Sequence, residues 1–402
     1  MANIAPASDA TTILSSPTRS SAKRLGSLDI LRGVTIAFMI MVNNNGGEQA
    51  WAQMHHAVWN GFTATDLVFP TFLFAVGVSI VFATEARLRR GETREQLALH
   101  AVKRACVLFA FGVVVNSFPR FNLDHMRFYG VLQRIAVCYL VVQLFYLWDK
   151  RLSTKIAALM AVLLGYWALV SWIPIPGAGM PGHDVPFLDT DQNIVAWLDR
   201  HLMPGHLYED KLTHNTRDPE GLLSDIPALG TTLLGLLAGF GLCGNKAPRS
   251  KAGGLLASAL VCLALGYTWS IWFPLNKKMW TSTFVLVAGG WSLLLFALFY
   301  WAIEIRGWCR QGAAKALAWP WLVFGSNAIA AYMISELLPG TLNLIHFKVG
   351  GSDMTPLHWW ERFLAALIAN PGWAAFSYSV TYTLVCFIPV WLLYRNRLFL
   401  KV

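Results

Sequence analysis

Two adjacent histidines, His55 and His56, stand in a polar stretch that opens with Asn43-Asn44-Asn45-Gly46-Gly47 and runs through Trp59-Asn60-Gly61 to Asp66. An imidazole titrates near pH 6.5, so it can take or release a proton close to neutrality. It can also be acylated as a nucleophile. On spacing alone, such histidines more often belong to a solvated loop than to a catalytic site. The asparagines supply hydrogen-bond donors, and the glycines let a ligand approach the backbone closely. The same run also suits a helix C-cap. Upstream, Asp29 and Arg32 are three residues apart and share one helix face. They read either as a structural ion pair or as the mouth of a ligand channel.

The elements that must position these residues are apolar helices. Of 402 residues, 55% are hydrophobic and only 13% charged, where a soluble domain carries about 25% charged. Runs long enough to cross a bilayer occur at 29–45, 66–85, 103–118, 128–147, 156–173, 226–243, 252–273, 281–303, 319–338 and 372–394. In lipid, backbone groups must be satisfied within the segment, so these spans are helices. The expected fold is an all-α polytopic integral membrane protein with about ten transmembrane helices.

Charge sets the orientation. Short loops holding Arg87, Arg89, Arg90, Lys150, Arg151, Lys246, Arg249 and Arg306 fall on one face, which collects 21 of the 32 basic residues. The positive-inside rule makes that face cytoplasmic, with both termini on it. The net charge of +10 does not point to nucleic acid, because basic residues fall between apolar runs and not on one polar face. Residues 1–24 read as a disordered cytoplasmic tail without a signal-peptide core. Residues 25–402 then form a single domain, with a long exterior loop at about 174–225. None of the six cysteines falls in an exterior loop, so no disulfide framework is indicated. Of ten histidines, only His100 falls on the cytoplasmic side. The long loop adds Asp184, Asp189, Asp191, His183, His201, His206, His214, Trp197 and Tyr208 as candidates for a substrate wall, with a short amphipathic helix near 191–202. Metal-binding spacings such as HExxH do not occur, and no metal is expected.

A larger pattern joins these pieces. Asp29…Arg32-Gly33, Val42-Asn43, His56-Ala57…Trp59-Asn60-Gly61 and Asp66-Leu67-Val68-Phe69-Pro70 resemble the heparan-α-glucosaminide N-acetyltransferase family, which includes a lysosomal transmembrane enzyme and shorter bacterial members. The resemblance continues through Tyr129-Gly130-Val131-Leu132-Gln133-Arg134, Asp218-Pro219-Glu220-Gly221, Leu275-Asn276-Lys277…Trp280 and Gly325-Ser326-Asn327-Ala328…Tyr332. Without the lysosomal enzyme's extra N-terminal region, a bacterial inner-membrane relative is expected.

The resemblance implies transfer of an acetyl group from cytosolic acetyl-CoA, as co-substrate, to an amino sugar across the membrane. It implies His56 as the catalytic histidine, with Asn43 beside it. His56 would either carry the acetyl group or only deprotonate the amine. Asp66 would orient His56 or bind the ammonium, and Asn43 or Asn327 would hydrogen-bond the carbonyl. The loop between the asparagines and His56 is one residue longer than the family pattern, which leaves Asn43 and Asn44 as alternatives. Candidate acetyl-CoA contacts are Arg134, Gln133, Arg32 and Asn327. Lys103, Arg104, Lys246 and Arg249 could face the phosphates, although the positive-inside rule also accounts for them. Arg134 reads alternatively as a buried partner for Asp66, Asp124 or Glu336. Candidate sugar contacts are Asn44, Trp59, Asn60 and Glu220. Besides lipid, the partners expected are the two substrates and a second copy in a homodimer. An amino-sugar transporter and an O-acyltransferase for a cell-envelope glycan are the competing readings.

Overall fold

The computed structural model describes residues 25–208, 216–309 and 312–400. The tail at 1–24 and His214 lie outside these. The described chain is an all-α polytopic membrane protein. Its membrane-length helices are α1 (Gly26–Asn43), α2 (Ala64–Leu88), α3 (Arg94–Ser117), α4 (Val131–Trp148), α5 (Leu152–Trp172), α7 (Asp225–Cys243), α8 (Pro248–Trp269), α9 (Ser282–Tyr300) and α13 (Pro371–Arg395). Helix α9 continues through a π-helical turn to Ile305.

The remaining predicted span, at 319–338, is not continuous. It is split into α10 (Gly312–Ser326) and α11 (Ala328–Leu342), which meet at an angle of 78°. Asn327 causes the break. Its backbone leaves the helical region at φ −128°, ψ 39°. Its side chain donates to Leu398 O and accepts from Leu400 N, both at 3.1 Å. An asparagine amide that satisfies distant backbone in this way competes with the helix. On the other side of the break, Gly325 packs against α1, where a Cβ would sit 2.0 Å from Asp29 O.

Two amphipathic helices complete the set. In the long loop, α6 (Ile194–Leu202) starts where Asn193 Oδ1 accepts from Ala196 N at 2.8 Å. Between α11 and α13, a hairpin of β1 (Phe347–Val349) and β2 (Ser352–Met354) leads into α12 (Pro356–Leu367).

The centre of the bundle is α2 packed on α7. The contact is close because small residues face each other: a Cβ on Gly77 would lie 2.0 Å from Thr232 O, and one on Gly235 would lie 2.0 Å from Phe74 O. Small residues at such crossings let helix backbones approach where lipid provides no hydrophobic drive. Gly77→Ala is therefore expected to destabilise the protein by about 1–3 kcal/mol through overpacking. A detergent-solubilised variant that melts at the wild-type temperature would contradict this packing.

Candidate active site

The loop between α1 and α2 is built by its own polar side chains. Asn45 Nδ2 donates to Met54 O at 3.1 Å, and Thr63 Oγ1 donates to His55 O at 2.8 Å. Thr65 Oγ1 donates to Gln53 O at 2.9 Å. These bonds fold the loop over the start of α2. Gly46 has φ +77°, and a Cβ there would come within 2.7 Å of the Ala375 backbone. Glycine is thus required by a turn against α13.

Asp66 is the third helical residue of α2 and is fully buried. Its Oδ2 accepts from Ala57 N and Thr63 N, both at 3.1 Å, and lies 3.0 Å from Thr63 Oγ1, whose one hydrogen serves either this oxygen or His55 O. Its Oδ1 lies 2.8 Å from His56 Nδ1. An ionised carboxylate can only accept, so Nδ1 carries the hydrogen and the Nε2 lone pair is left available. One residue therefore caps α2 and fixes the tautomer of His56.

A second segment presses on the histidine. The turn between α8 and α9 is tied to the loop by Gly61 N donating to Leu275 O at 2.8 Å and Lys278 Nζ donating to Val58 O at 2.8 Å. Asn276 Nδ2 donates to Asn60 Oδ1 at 3.1 Å. This brings Lys277 Nζ to 3.0 Å from His56 Nδ1, 3.1 Å from Nε2 and 3.9 Å from Asp66 Oδ1. Burial and then the Lys277 ammonium hold the His56 pKa below its usual 6.5, against the pull of Asp66 and Glu220. Burial likewise lowers the Lys277 pKa, partly offset by Asp66 and Glu220.

These groups open into a cavity of about 1010 Å³, lined among others by Asn43, His56, Asp66, Arg127, Tyr208, Glu220, Lys277, Tyr332 and Glu336. His56 lines it with 45% of its side chain accessible. Asn43 Nδ2 donates to Glu336 Oε1 at 2.9 Å. Arg127 holds Asp218 through Nε at 2.7 Å and reaches Glu220 through its terminal nitrogen. Burial opposes ionisation of Glu220, but Arg127, Arg134 and Lys277 outweigh it and keep its carboxyl below the usual range. The long loop contributes Leu207, Tyr208, Pro219 and Glu220 to the wall.

Several sequence candidates stand elsewhere. Arg134 is fully buried and bonds to Asp225 Oδ1 at 2.7 Å, to Gly221 O at 3.2 Å and to Ser224 Oγ. Its partner is Asp225, not Asp66, Asp124 or Glu336. Gln133 is buried against Gly112, where a Cβ would lie 2.2 Å from its Oε1. Arg32 pairs with Asp29 at 4.0 Å near the far end of α1. Asn327 is committed to the C-terminal backbone, as above. None of these four lines the cavity. Asn44 donates to Ile40 O at 3.2 Å as a helix end would. Trp59 donates to Leu188 O at 2.7 Å, and with Asn60 it braces the loop. Of the described long-loop candidates, Asp184 binds His183 and His206 binds Met126 O, while Tyr208 and Glu220 reach the cavity. Lys277, Glu336 and Arg127 also line the site and are not among the sequence candidates. Only Lys277 carried a signal, inside the Leu275-Asn276-Lys277 motif.

Comparison with known proteins finds a family model and two curated relatives. The family model described as heparan-alpha-glucosaminide N-acetyltransferase, catalytic, matches residues 24–198. That stretch holds Asn43, His56, Asp66 and Arg127; Glu220, Lys277 and Glu336 come from beyond it. The chain is 27% identical to heparan-alpha-glucosaminide N-acetyltransferase of Mus musculus over 433 residues, covering 96% of this chain and 61% of the relative. It is 26% identical to the Homo sapiens protein of the same name over 429 residues, covering 94% and 60%. The chain thus spans about three fifths of the length of these curated relatives. On the family-model match over residues 24–198 and the similarity along nearly its whole length, the chain is similar to the heparan-alpha-glucosaminide N-acetyltransferase family.

Proposed function

We propose that this protein transfers the acetyl group of acetyl-CoA to the amine of glucosamine or a terminal glucosaminide. The observation that carries this reading is the Asp66–His56 pair, which leaves a neutral Nε2 facing a cavity of about 1010 Å³. A thioester is already activated, so the demanding task is to present a neutral amine to it. An imidazole held below pKa 6.5 is a free base at neutral pH and suits that task. The remaining N–H of Asn43 can donate to the carbonyl oxygen as it gains charge. Glu220 and Glu336 give the cavity an acidic wall suited to an amino sugar.

In this reading, residues 25–402 act as one domain of a multi-pass inner-membrane protein, with both termini cytoplasmic. The cavity lies at the α1 C-terminal and α2 N-terminal ends, and the basic loops lie at the opposite ends of the helices. Acetyl-CoA would then approach from the basic side and the sugar from the other.

Purified protein given acetyl-CoA and glucosamine is expected to release CoA and form N-acetylglucosamine. Equal background release without the sugar would count against this function. Acid-quenched peptide mapping separates the two chemical routes: acetylated His56 marks a carrier, and an unmodified His56 during turnover marks a general base. A transporter reading draws on the broken helix, since α11 places Tyr332 and Glu336 in the cavity wall. It requires sugar uptake into vesicles that contain no acetyl-CoA.

A further inference from the structure

We propose that Lys277 is the proton-transfer partner of His56, holding the imidazole as the free base and protonating the thiolate that leaves. This rests on the acetyl-transfer reading above. Nζ is nearly equidistant from the two ring nitrogens, at 3.0 and 3.1 Å. An in-plane ammonium at those distances would lie well inside van der Waals contact of Cε1. The ammonium therefore sits across the face of the ring, which penalises the imidazolium yet leaves the Nε2 lone pair open to an incoming amine.

The charges around the pair are balanced but unequal. His56 is faced by Asp66 from α2, Lys277 from the α8–α9 turn and Glu220 from the segment before α7. Lys277 is faced by Asp66 and Glu220, with Lys278 and Arg134 opposing. Only 16% of the Lys277 side chain is accessible. A buried ammonium gives up its proton more readily than a solvated one.

The step balances as follows. The neutral amine attacks the thioester carbonyl and forms the C–N bond, and His56 Nε2 takes the amine proton. The C–S bond breaks with its electron pair going to sulfur, and Lys277 Nζ protonates that sulfur. His56 then releases its proton to the cavity solvent, and Lys277 takes one up from it, which restores both groups. The net products are the amide and free CoA thiol.

Two variants and two measurements test this. Carbethoxylation of His56 by diethyl pyrocarbonate, followed across pH by peptide mass spectrometry, reports the neutral imidazole without needing turnover. Lys277→Met is expected to move its midpoint to higher pH, and Lys277→Arg to keep it at the wild-type position. In turnover assays, both variants are expected to lose about 10²-fold or more in kcat. Arginine keeps the charge but does not yield a proton. An unmoved midpoint in Lys277→Met would overturn the electrostatic role, and full kcat in Lys277→Arg would overturn the donor role. If the wild type acetylates no amino sugar, the functional reading fails, while the carbethoxylation midpoints still report on the His56–Lys277 pair.

Discussion

His56→Gln is expected to lower CoA release in the presence of acetyl-CoA and glucosamine by about 10²–10⁴-fold, the span that a positioned general base contributes. Glutamine can still hydrogen-bond to Asp66 but offers no basic nitrogen to the amine. Asp66→Asn is expected to cost a similar factor, for a reason specific to this loop. Oδ2 receives two backbone donors, Ala57 N and Thr63 N, so an asparagine must place its oxygen there. Its NH₂ then faces His56 Nδ1 and forces the hydrogen onto Nε2. The variant is nearly isosteric, yet its histidine presents the wrong tautomer. Steady-state CoA release on protein that elutes as wild type checks both. Near-wild-type turnover in Asp66→Asn would sink the pairing as a catalytic device.

The second large effect concerns stability. Arg134→Met is expected to destabilise the protein by about 3–5 kcal/mol, because it leaves Asp225 buried without its cation. The guanidinium also satisfies Gly221 O and Ser224 Oγ and lies 5.0 Å from the centre of the Trp280 ring. One side chain therefore joins α4, the start of α7 and the turn that carries Lys277. Lysine cannot reproduce this planar set of donors, so Arg134→Lys is expected to fail as well. Adding Asp225→Asn to Arg134→Met removes the stranded charge and is expected to recover part of the loss. Thermal melting in detergent reads all three. If Arg134→Met melts as wild type but binds acetyl-CoA weakly, the residue contacts the cofactor after all.

Arg134 shows where sequence reasoning succeeds and stops. An arginine inside an apolar run must be paired or functional, and Arg134 was legible to that extent. Its partner was not, because Asp225 lies 91 positions away at the first turn of another helix. His56 and Asp66 were legible together, since ten residues of loop ending in a capping sequence can return a side chain to its own start. Lys277 and Glu336 reach the same cavity from 221 and 293 positions beyond their partners His56 and Asn43, and no local pattern encodes that distance. The helices themselves were legible because burial in lipid demands long apolar runs. The break at Asn327 was missed because apolarity continues through it, while its cause lies in backbone at Leu398 and Leu400.

That break has a practical consequence for handling the protein. Glu336 sits nine residues above Asn327 on α11, about 14 Å along the helix axis. The lower end of α11 is clipped to the final described residues of the chain by two hydrogen bonds. A tag or surface tether fused to those residues therefore loads the start of the helix whose Glu336 holds Asn43, and a spacer ahead of it keeps that contact out of kinetic work.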